Sequence, residues 1–162
     1  RYNRVAPLVQ KYGCSIVALC MDDKGMPANA PERLKIAEHL VNRLTNDGVP
    51  ADNIYLDPLV YPIGTGSKNG VDVLETIREI SRRLAGVHTI CGLSNVSFGM
   101  PLRKLLNQTF LVLCMGAGLD GVILNPLEKR IMSLLRGALA VLNKDDFCLN
   151  YITAYREGRL EV

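Results

Sequence analysis

Polar side chains follow each of four apolar runs in this sequence. Asp22, Asp57, the pair Ser94-Asn95 and Asn125 all stand at or just beyond the end of a run of strand length. In a barrel of parallel strands these ends converge on one mouth, which is where barrel enzymes keep their chemistry. Polar residues also cap strands and start loops in every fold, so the pattern alone leaves a convergent site and ordinary loop chemistry both open.

Three further segments have the composition of chemical motifs. The stretch from Gly64 to Gly70 suggests a phosphate loop, but it departs from the order of both glycine-rich nucleotide motifs and is better interpreted as a mobile loop. Asp22-Asp23 could be paired carboxylates for acid-base work, yet with Lys24-Gly25 behind them they have an ordinary turn composition. Arg103-Lys104, at the start of a predicted helix, has the pattern of a solvated face.

The cysteines and histidines do not indicate a metal site. Five cysteines form no C-x-x-C pair, and most fall inside apolar runs, which is typical of core thiols in a reducing compartment. Neither histidine is near them in sequence, and for His39 and His88 we predict a solvated or capping role. The cysteines are Cys14, Cys20, Cys91, Cys114 and Cys148.

Composition narrows the class of protein. The chain has 162 residues, of which 48% are hydrophobic and 22% are charged, as expected for one globular domain. The formal charge of +3 is scattered rather than gathered into a basic stripe, so nucleic acid is not an expected partner. No apolar stretch is long enough for a membrane span and the start has no signal-peptide order, which predicts a cytoplasmic protein.

Strand-length and helix-period segments alternate along the chain. Apolar runs of strand length occur at residues 15–21, 53–59, 88–93 and 119–124. Stripes with helical spacing occur at residues 5–12, 31–48, 73–84, 101–116 and 131–142, and the tail at 147–156 can form a short helix. Apolar strands separated by helices, at intervals of roughly 35 residues, predict an α/β fold with parallel pairing and right-handed crossovers.

Two architectures fit this order. An open doubly wound sheet can be built from four or five strands, whereas a closed eight-stranded barrel typically needs about 250 residues. Length therefore favours the open sheet. The polar residues at the strand ends favour the barrel.

One stretch is far more specific than these patterns. Gly92-Leu93-Ser94-Asn95-Val96-Ser97-Phe98-Gly99, followed by Arg103 and Leu106 to Leu111, closely resembles the seventh strand and helix of the methyltetrahydrofolate:corrinoid methyltransferases. It is also similar to the folate-binding domain of cobalamin-dependent methionine synthase. Tyr55 to Leu59 resembles the sixth strand of that family, Gly118 to Pro126 resembles its eighth, and Leu142 to Asp145 resembles the end of its last barrel helix.

The resemblance implies a (β/α)₈ barrel of the pterin-binding type, of which this chain is the C-terminal half. Residues 1–162 would form a single domain that contains strands five to eight, and the first four strands would be absent. The chain starts at Arg1, inside a predicted helix and without a methionine, as a fragment would. A half-barrel leaves strand edges unpaired, so we expect association with the missing N-terminal half or with a second copy in a homo-oligomer.

The resemblance also implies roles for particular residues. Asp57 would accept hydrogen bonds from the ring N–H and exocyclic amine of the pterin, and Gly92, Ser94 and Asn125 would line the pterin site. Asn95 would be catalytic and would stabilise the methyl-bearing pterin nitrogen as charge develops there. The substrate would be methyltetrahydrofolate, and cobalamin or another corrinoid on a partner protein would exchange the methyl group.

For Arg103 the resemblance implies a position near the mouth, where it would help with the glutamate tail or with the hydrogen bonds around Asn95. Phe98 departs from many family members, which have a polar residue there, and agrees with methionine synthases.

Two alternatives remain at this stage. Dihydropteroate synthases use the same barrel and pterin pocket, but they need basic residues for a diphosphate, and the end of the last strand here is Asn125-Pro126-Leu127. The second alternative is a non-catalytic module that binds a pterin or docks a corrinoid protein.

Overall fold

A computed structural model describes residues 2–161; Arg1 and Val162 lie outside this part. Helices and strands alternate through most of it, as the sequence predicts. In chain order the elements are α1 (Tyr2–Tyr12), β1 (Ile16–Leu19), α2 (Ala30–Asn46), β2 (Ile54–Asp57), α3 (Asn69–Arg83), β3 (His88–Gly92), α4 (Arg103–Ala117), β4 (Gly121–Ile123), α5 (Lys129–Val141) and α6 (Leu149–Arg156).

The four strands form one parallel sheet in the order β1-β2-β3-β4. Ile16 pairs with Ile54, Tyr55 with His88, and Ile90 with Gly121. Spatial order therefore follows chain order, and the predicted parallel α/β fold is confirmed. Within residues 2–161, β1 and β4 each pair on one side only.

Side chains alternate between a covered and an open face of the sheet. Ala18, Ile54, Leu56 and Cys91 belong to the buried clusters that β1, β2 and β3 share with the helices. Their neighbours are more accessible, and three apolar side chains of the edge strands are 43–61% exposed: Val17, Leu19 and Ile123. The sheet thus has one face packed against helices and one face with exposed apolar groups.

Local sequence signals set the start of α2. The Asn29 side chain accepts a hydrogen bond from the Glu32 N–H at 3.0 Å, and the Glu32 carboxylate accepts one from the Ala28 N–H at 2.9 Å. Pro31 then opens the first turn, where its missing N–H costs nothing. The buried stripe of this helix is Leu34, Ala37, Val41 and Leu44.

Two helices begin later than their sequence patterns suggest, for the same backbone reason. Leu102 has φ 49°, a left-handed conformation that cannot continue into an α-helix, so α4 begins at Arg103. Phe147 and Cys148 have φ values of 53° and 56°, so the last helix begins at Leu149. The strands are also shorter than the apolar runs that predicted them, by up to two residues at an end, although β3 begins at His88 as predicted.

A polar network ties β3 to the segment before β4, at the end of the sheet opposite the polar strand ends. Asp120 Oδ2 is 2.6 Å from His88 Nδ1, and Asp120 Oδ1 accepts a hydrogen bond from the Thr89 N–H at 2.6 Å. The His88 ring stacks on Tyr55 with centroids 4.7 Å apart. His88 is therefore a partner in a specific contact, rather than only the solvated or capping residue that its sequence position suggested.

The remaining sequence expectations concern thiols, metals and membranes. Cys20, Cys91 and Cys114 are buried and Cys14 and Cys148 are exposed, all as free thiols. Among the described residues there is no group of three or more metal-ligating side chains. No helix between residues 2 and 161 has the length and apolar character to cross a membrane.

Candidate functional site

Asp57 is the last residue of β2 and lies on the more accessible face of that strand. Its Oδ1 accepts a hydrogen bond from the Leu59 N–H at 2.9 Å, as in an Asx turn. Leu59 itself has φ 62°, an unfavourable conformation for a leucine. Burial raises the pKa of Asp57 above its usual range, and the Leu59 hydrogen bond opposes that rise.

Gly92 and Asn95 meet at the end of β3. The chain leaves the strand in a 3-10 turn over Leu93–Ser97, which carries Asn95 back over Gly92. A Cβ atom on Gly92 would lie 3.7 Å from Asn95 Nδ2. The Asn95 side chain is exposed and has no hydrogen-bond partner within residues 2–161. Its amide is thus available to an external group.

Arg103 fastens this turn from the first residue of α4. Its Nη2 donates to the Ser94 carbonyl at 2.9 Å, and its Nε donates to the Ser97 hydroxyl at 3.1 Å. The Ser97 hydroxyl donates in turn to Asn107 Oδ1 at 2.7 Å. Sequence reasoning gave Arg103 two possible roles, one with the glutamate tail and one with the hydrogen bonds around Asn95. Its hydrogen bonds in the structure are to Ser94 and Ser97, on either side of Asn95.

Asn125 lies two residues beyond β4, the strand that pairs with β3. Gly92 is in register with Ile123, so Asn125 follows the neighbouring strand at the same end of the sheet. Its Oδ1 accepts a hydrogen bond from the Leu127 N–H at 3.0 Å, and its carbonyl accepts one from the Glu128 N–H at 3.2 Å. These bonds shape the loop into α5, and the Asn125 Nδ2 group makes no hydrogen bond within residues 2–161.

The predicted residues therefore share one end of the sheet. Asp57 ends β2, Gly92 ends β3 with Ser94 and Asn95 just beyond it, and Asn125 follows β4. Direct contacts join Gly92 to Asn95 and Arg103 to Ser94, whereas Asp57 and Asn125 are related to them through the sheet register. Asp22, after β1, forms the predicted turn, in which its carboxylate accepts a hydrogen bond from the Lys24 N–H at 2.8 Å.

A buried arginine on α2 shares a neighbour, the Cys20 thiol, with Asp57. Arg33, on the first turns of α2, is 0% exposed, and its three guanidinium nitrogens have no hydrogen-bond partner in residues 2–161. The guanidinium carbon lies 4.6 Å from the centre of the Tyr61 ring. Burial raises the pKa of the Cys20 thiol to about 12. The Asp57 charge adds to this rise, and the Arg33 charge opposes it.

Two grooves of the surface border α4 and α5. One, of about 650 Å³, runs between these helices and is lined by Val112, Gly116, Ala138 and Val141. The other, of about 800 Å³, lies between the starts of the same helices and includes the predicted site residue Arg103 together with Leu102 and Leu127. Neither groove is lined by Asp57, Gly92 or Asn95.

The arrangement can bind a flat polar ligand and interact with a charge that develops on it. The Asp57 carboxylate can accept two parallel N–H donors, and the Asn95 amide can donate or accept one hydrogen bond. Gly92, the last residue of β3, adds no side chain at this end of the sheet. No hydroxyl, thiol or imidazole stands among these residues as an activated nucleophile.

The fold and the site together define a class of protein: a parallel α/β protein with a carboxylate and an amide at adjacent strand ends. Residues 1–125 match the family model described as pterin binding enzyme, which covers more than half of the chain. The chain belongs to that family, and the resemblance predicted from residues 92–99 is confirmed.

Named relatives agree with this family. The chain is 39% identical over 132 residues to a methionine synthase of Mycobacterium tuberculosis (strain ATCC 25618 / H37Rv), which covers 77% of the chain and 11% of that protein. It is 29% identical over 145 residues to a methylcorrinoid:tetrahydrofolate methyltransferase of Eubacterium limosum, which covers 90% of the chain and 54% of that protein. A methionine synthase of Mycobacterium leprae (strain TN) is 36% identical over 132 residues, with 77% and 11% covered. The chain thus spans about half the length of one relative and about a tenth of the others.

Sequence reasoning missed three residues that the structure brings to this region. Ser97 and Asn107 support the turn that carries Asn95, and Arg33 is buried where its charge, like that of Asp57, acts on Cys20. Ser97 lies inside the specific segment, so its position was noticed although its contacts were not. Nothing in the sequence distinguishes Arg33 from the exposed charges around it on α2.

Proposed function

We propose that this chain is the C-terminal half of a pterin-binding (β/α)₈ barrel that transfers a methyl group between methyltetrahydrofolate and the corrinoid cobalt of a partner protein. The observation that carries the proposal is the unpartnered Asn95 amide above Gly92, at the same end of the sheet as the Asp57 carboxylate. The relatives, a methylcorrinoid:tetrahydrofolate methyltransferase and two methionine synthases, support this chemistry.

Asp57 has the environment that a pterin would complete. The carboxylate is partly withdrawn from water, which raises its pKa, yet within the described residues its side chain accepts one hydrogen bond, from the Leu59 N–H. The pterin ring offers a neighbouring N–H and amine, two donors that a carboxylate accepts side by side. Binding would therefore offset the cost of burying the charge and would fix the ring in one orientation.

Asn95 addresses the difficult part of methyl transfer. When the carbon–nitrogen bond breaks, its electron pair stays on the pterin nitrogen, and a tertiary amine leaves poorly unless that nitrogen is stabilised. The Asn95 amide can donate a hydrogen bond that strengthens as this charge develops, so it favours the transition state over the bound substrate. In the opposite direction the same contact forms first and weakens as the new carbon–nitrogen bond forms. The partner's corrinoid would accept the methyl group on its cobalt, and the pterin nitrogen would take a proton from water, because the Asn95 amide does not release one. Both transfers would be reversed in the opposite direction.

The missing part of the barrel can be described from the helices. In such a barrel each groove between neighbouring strands is covered by one helix, and the crossover is right-handed. Helix α1 precedes β1 and buries Ala6 and Val9 in the cluster that contains Ala18 of β1, so it would cover the groove between β1 and the strand before it. A second copy that paired its β4 with β1 would bring its own α5 to the same groove. A complement of four strands and three helices fits better than a second copy.

The activity test uses the chain together with its complementary half. Titration calorimetry with methyltetrahydrofolate measures binding, and a stopped-flow assay with corrinoid protein measures methyl transfer. Replacement of Asn95 by alanine should lower the transfer rate about 100-fold, the effect of losing one donor to a developing charge, and should change the affinity less. Asn42→Ala, at an exposed position on α2, is the matched control. An unchanged transfer rate in Asn95→Ala would exclude the catalytic role.

The same experiment separates the alternatives. Tight binding without methyl transfer would support a non-catalytic pterin module. Binding of a pterin diphosphate in preference to methyltetrahydrofolate would support a dihydropteroate synthase-like enzyme. That alternative is weakened by Asn125, whose side chain organises its own loop at the strand end where a basic pair would be needed. Absence of pterin binding by the complete barrel would contradict all three.

A further inference from the structure

The buried hydroxyl of Ser97 is the centre of a hydrogen-bond network. Ser97 is 0% exposed, and its oxygen accepts from Arg103 Nε at 3.1 Å and donates to Asn107 Oδ1 at 2.7 Å. The Ser94 carbonyl is a second acceptor within reach, at 3.3 Å. A hydroxyl has one proton, so Asn107 decides which of the two acceptors receives it.

This network controls the backbone on both sides of Asn95. The Ser94 carbonyl, immediately before Asn95, accepts from Arg103 at 2.9 Å, and the Asn95 carbonyl accepts from the Phe98 N–H at 3.1 Å. The peptide groups that flank the Asn95 Cα are thus held, while its side-chain amide has no partner in the described chain. An amide that is free at its tip and fixed at its base is preorganised for a ligand.

We propose that Ser97 and Asn107 are positioning residues for Asn95 in methyl transfer. The Asn107 oxygen accepts the hydrogen bond that Ser97 donates. A lone pair of Ser97 then accepts from Arg103 Nε, and the Ser94 carbonyl accepts from Arg103 Nη2. Without Asn107 the Ser97 proton turns to the Ser94 carbonyl, and the Ser97 lone pair that accepts from Arg103 Nε changes its direction. The turn over Leu93–Ser97 then shifts, and Asn95 loses its alignment. The inference rests on the proposed function of Asn95.

Three substitutions in the complete barrel test this chain of contacts. Asn107→Leu removes the acceptor at similar volume, and Ser97→Ala removes the hydroxyl. Each should lower kcat for methyl transfer about 10- to 100-fold, the range expected when a reacting group is displaced slightly, with a smaller change in methyltetrahydrofolate affinity. Asn107→Asp keeps an oxygen acceptor for Ser97 and should retain most of the activity. Thr109→Ala, which removes an exposed hydroxyl bonded to its own helix, is the matched control.

A double variant that carries both Asn107→Leu and Ser97→Ala shows whether Asn107 acts through Ser97. If it does, the double variant should have the same kcat as Ser97→Ala alone, because the second change removes a contact that no longer exists. Additive losses would overturn the proposal, as would equal losses in Asn107→Leu and Asn107→Asp.

Thermal unfolding of each variant identifies a loss that is due only to misfolding, and such a loss would count against a positioning role. An effect of Asn95→Ala without an effect of Ser97→Ala would overturn this inference and leave the proposed function intact. No effect of Asn95→Ala would overturn the proposed function itself.

Discussion

The amide nitrogen of Asn95 lies over Gly92, at 3.7 Å from the position that a Cβ atom on Gly92 would occupy. This is an ordinary van der Waals separation, and the φ of −77° at Gly92 suits any residue. Gly92 is therefore required neither by the backbone conformation nor by a clash. The proposed reason for a glycine here is the space that a ligand needs.

The first prediction concerns Gly92→Ala. The variant should unfold within about 0.5 kcal/mol of the wild type, as most substitutions without a named structural defect do. Its affinity for methyltetrahydrofolate should fall roughly tenfold or more, equivalent to about 1.4 kcal/mol. Gly116→Ala, at an exposed position on α4 with nothing nearby, is the control and should bind normally. Unchanged affinity in Gly92→Ala would contradict the assignment of Gly92 to the pterin site.

The second prediction sets stability against binding at Asp57. Burial raises the pKa of this carboxyl in the folded chain, so the folded state disfavours the charged form. Asp57 therefore contributes stability at pH values below its pKa in the unfolded chain. This contribution is lost as the pH rises through its pKa in the folded chain. Asp57→Asn, which keeps an oxygen for the Leu59 N–H, should be more stable than wild type at neutral pH, and the difference should vanish in acid. Denaturant titrations at several pH values measure this.

The same variant should bind methyltetrahydrofolate about 10- to 100-fold more weakly, because hydrogen bonds to a charged acceptor are worth about 1.5–3 kcal/mol. Greater stability together with weaker binding is the result expected of a site residue. A variant that is less stable at neutral pH would show that Asp57 has a structural role instead.

The third prediction uses the strained backbone before α4. Leu102 is 79% exposed and has φ 49°, where a leucine costs about 1–2 kcal/mol relative to a right-handed conformation and a glycine does not. Leu102→Gly should therefore raise the free energy of unfolding by about 1 kcal/mol. Leu105→Gly is the control: this residue is also exposed but lies within α4, where glycine should destabilise by about 1 kcal/mol. Chemical denaturation of both variants measures the contrast.

The fourth prediction concerns Arg33, whose guanidinium is buried without a hydrogen-bond partner in residues 2–161 and stacks on Tyr61. A buried charge of this kind can be replaced by an apolar side chain of similar size without loss, and often with a gain on the order of 1 kcal/mol. Arg33→Met should be at least as stable as the wild type. Arg33→Lys should be less stable, because an ammonium group is more strongly hydrated and cannot stack as a plane. A large loss of stability in Arg33→Met would show that the guanidinium has an essential partner.

Much of the fold could be predicted because its signals are local. Asn29, Glu32 and Pro31 mark the start of α2, and short apolar runs between amphipathic stripes mark the strands. The end of each strand also fixed the approximate position of Asp57 and Asn95. Parallel pairing then brings these residues to one edge, as the sheet confirms.

Other features could not be predicted because they depend on contacts between distant segments. The Ser97 hydroxyl and Asn107 meet only after α4 has folded back over the turn. Leu59 and Leu102 adopt left-handed conformations although leucine gives no sign of them, since the surrounding structure imposes the strain. The burial of Arg33 under Tyr61 likewise depends on how the loop after β2 packs on α2.

The sequential order of the sheet has a consequence for how the molecule forms. Each strand pairs with the strand that the ribosome makes next, about 35 residues later, so the sheet can grow as synthesis proceeds and no strand has to be inserted between two earlier ones. In the proposed complete barrel, only the last strand pairing would connect the two ends of a long chain. That pairing should be the slow step of folding and the place where errors of assembly arise.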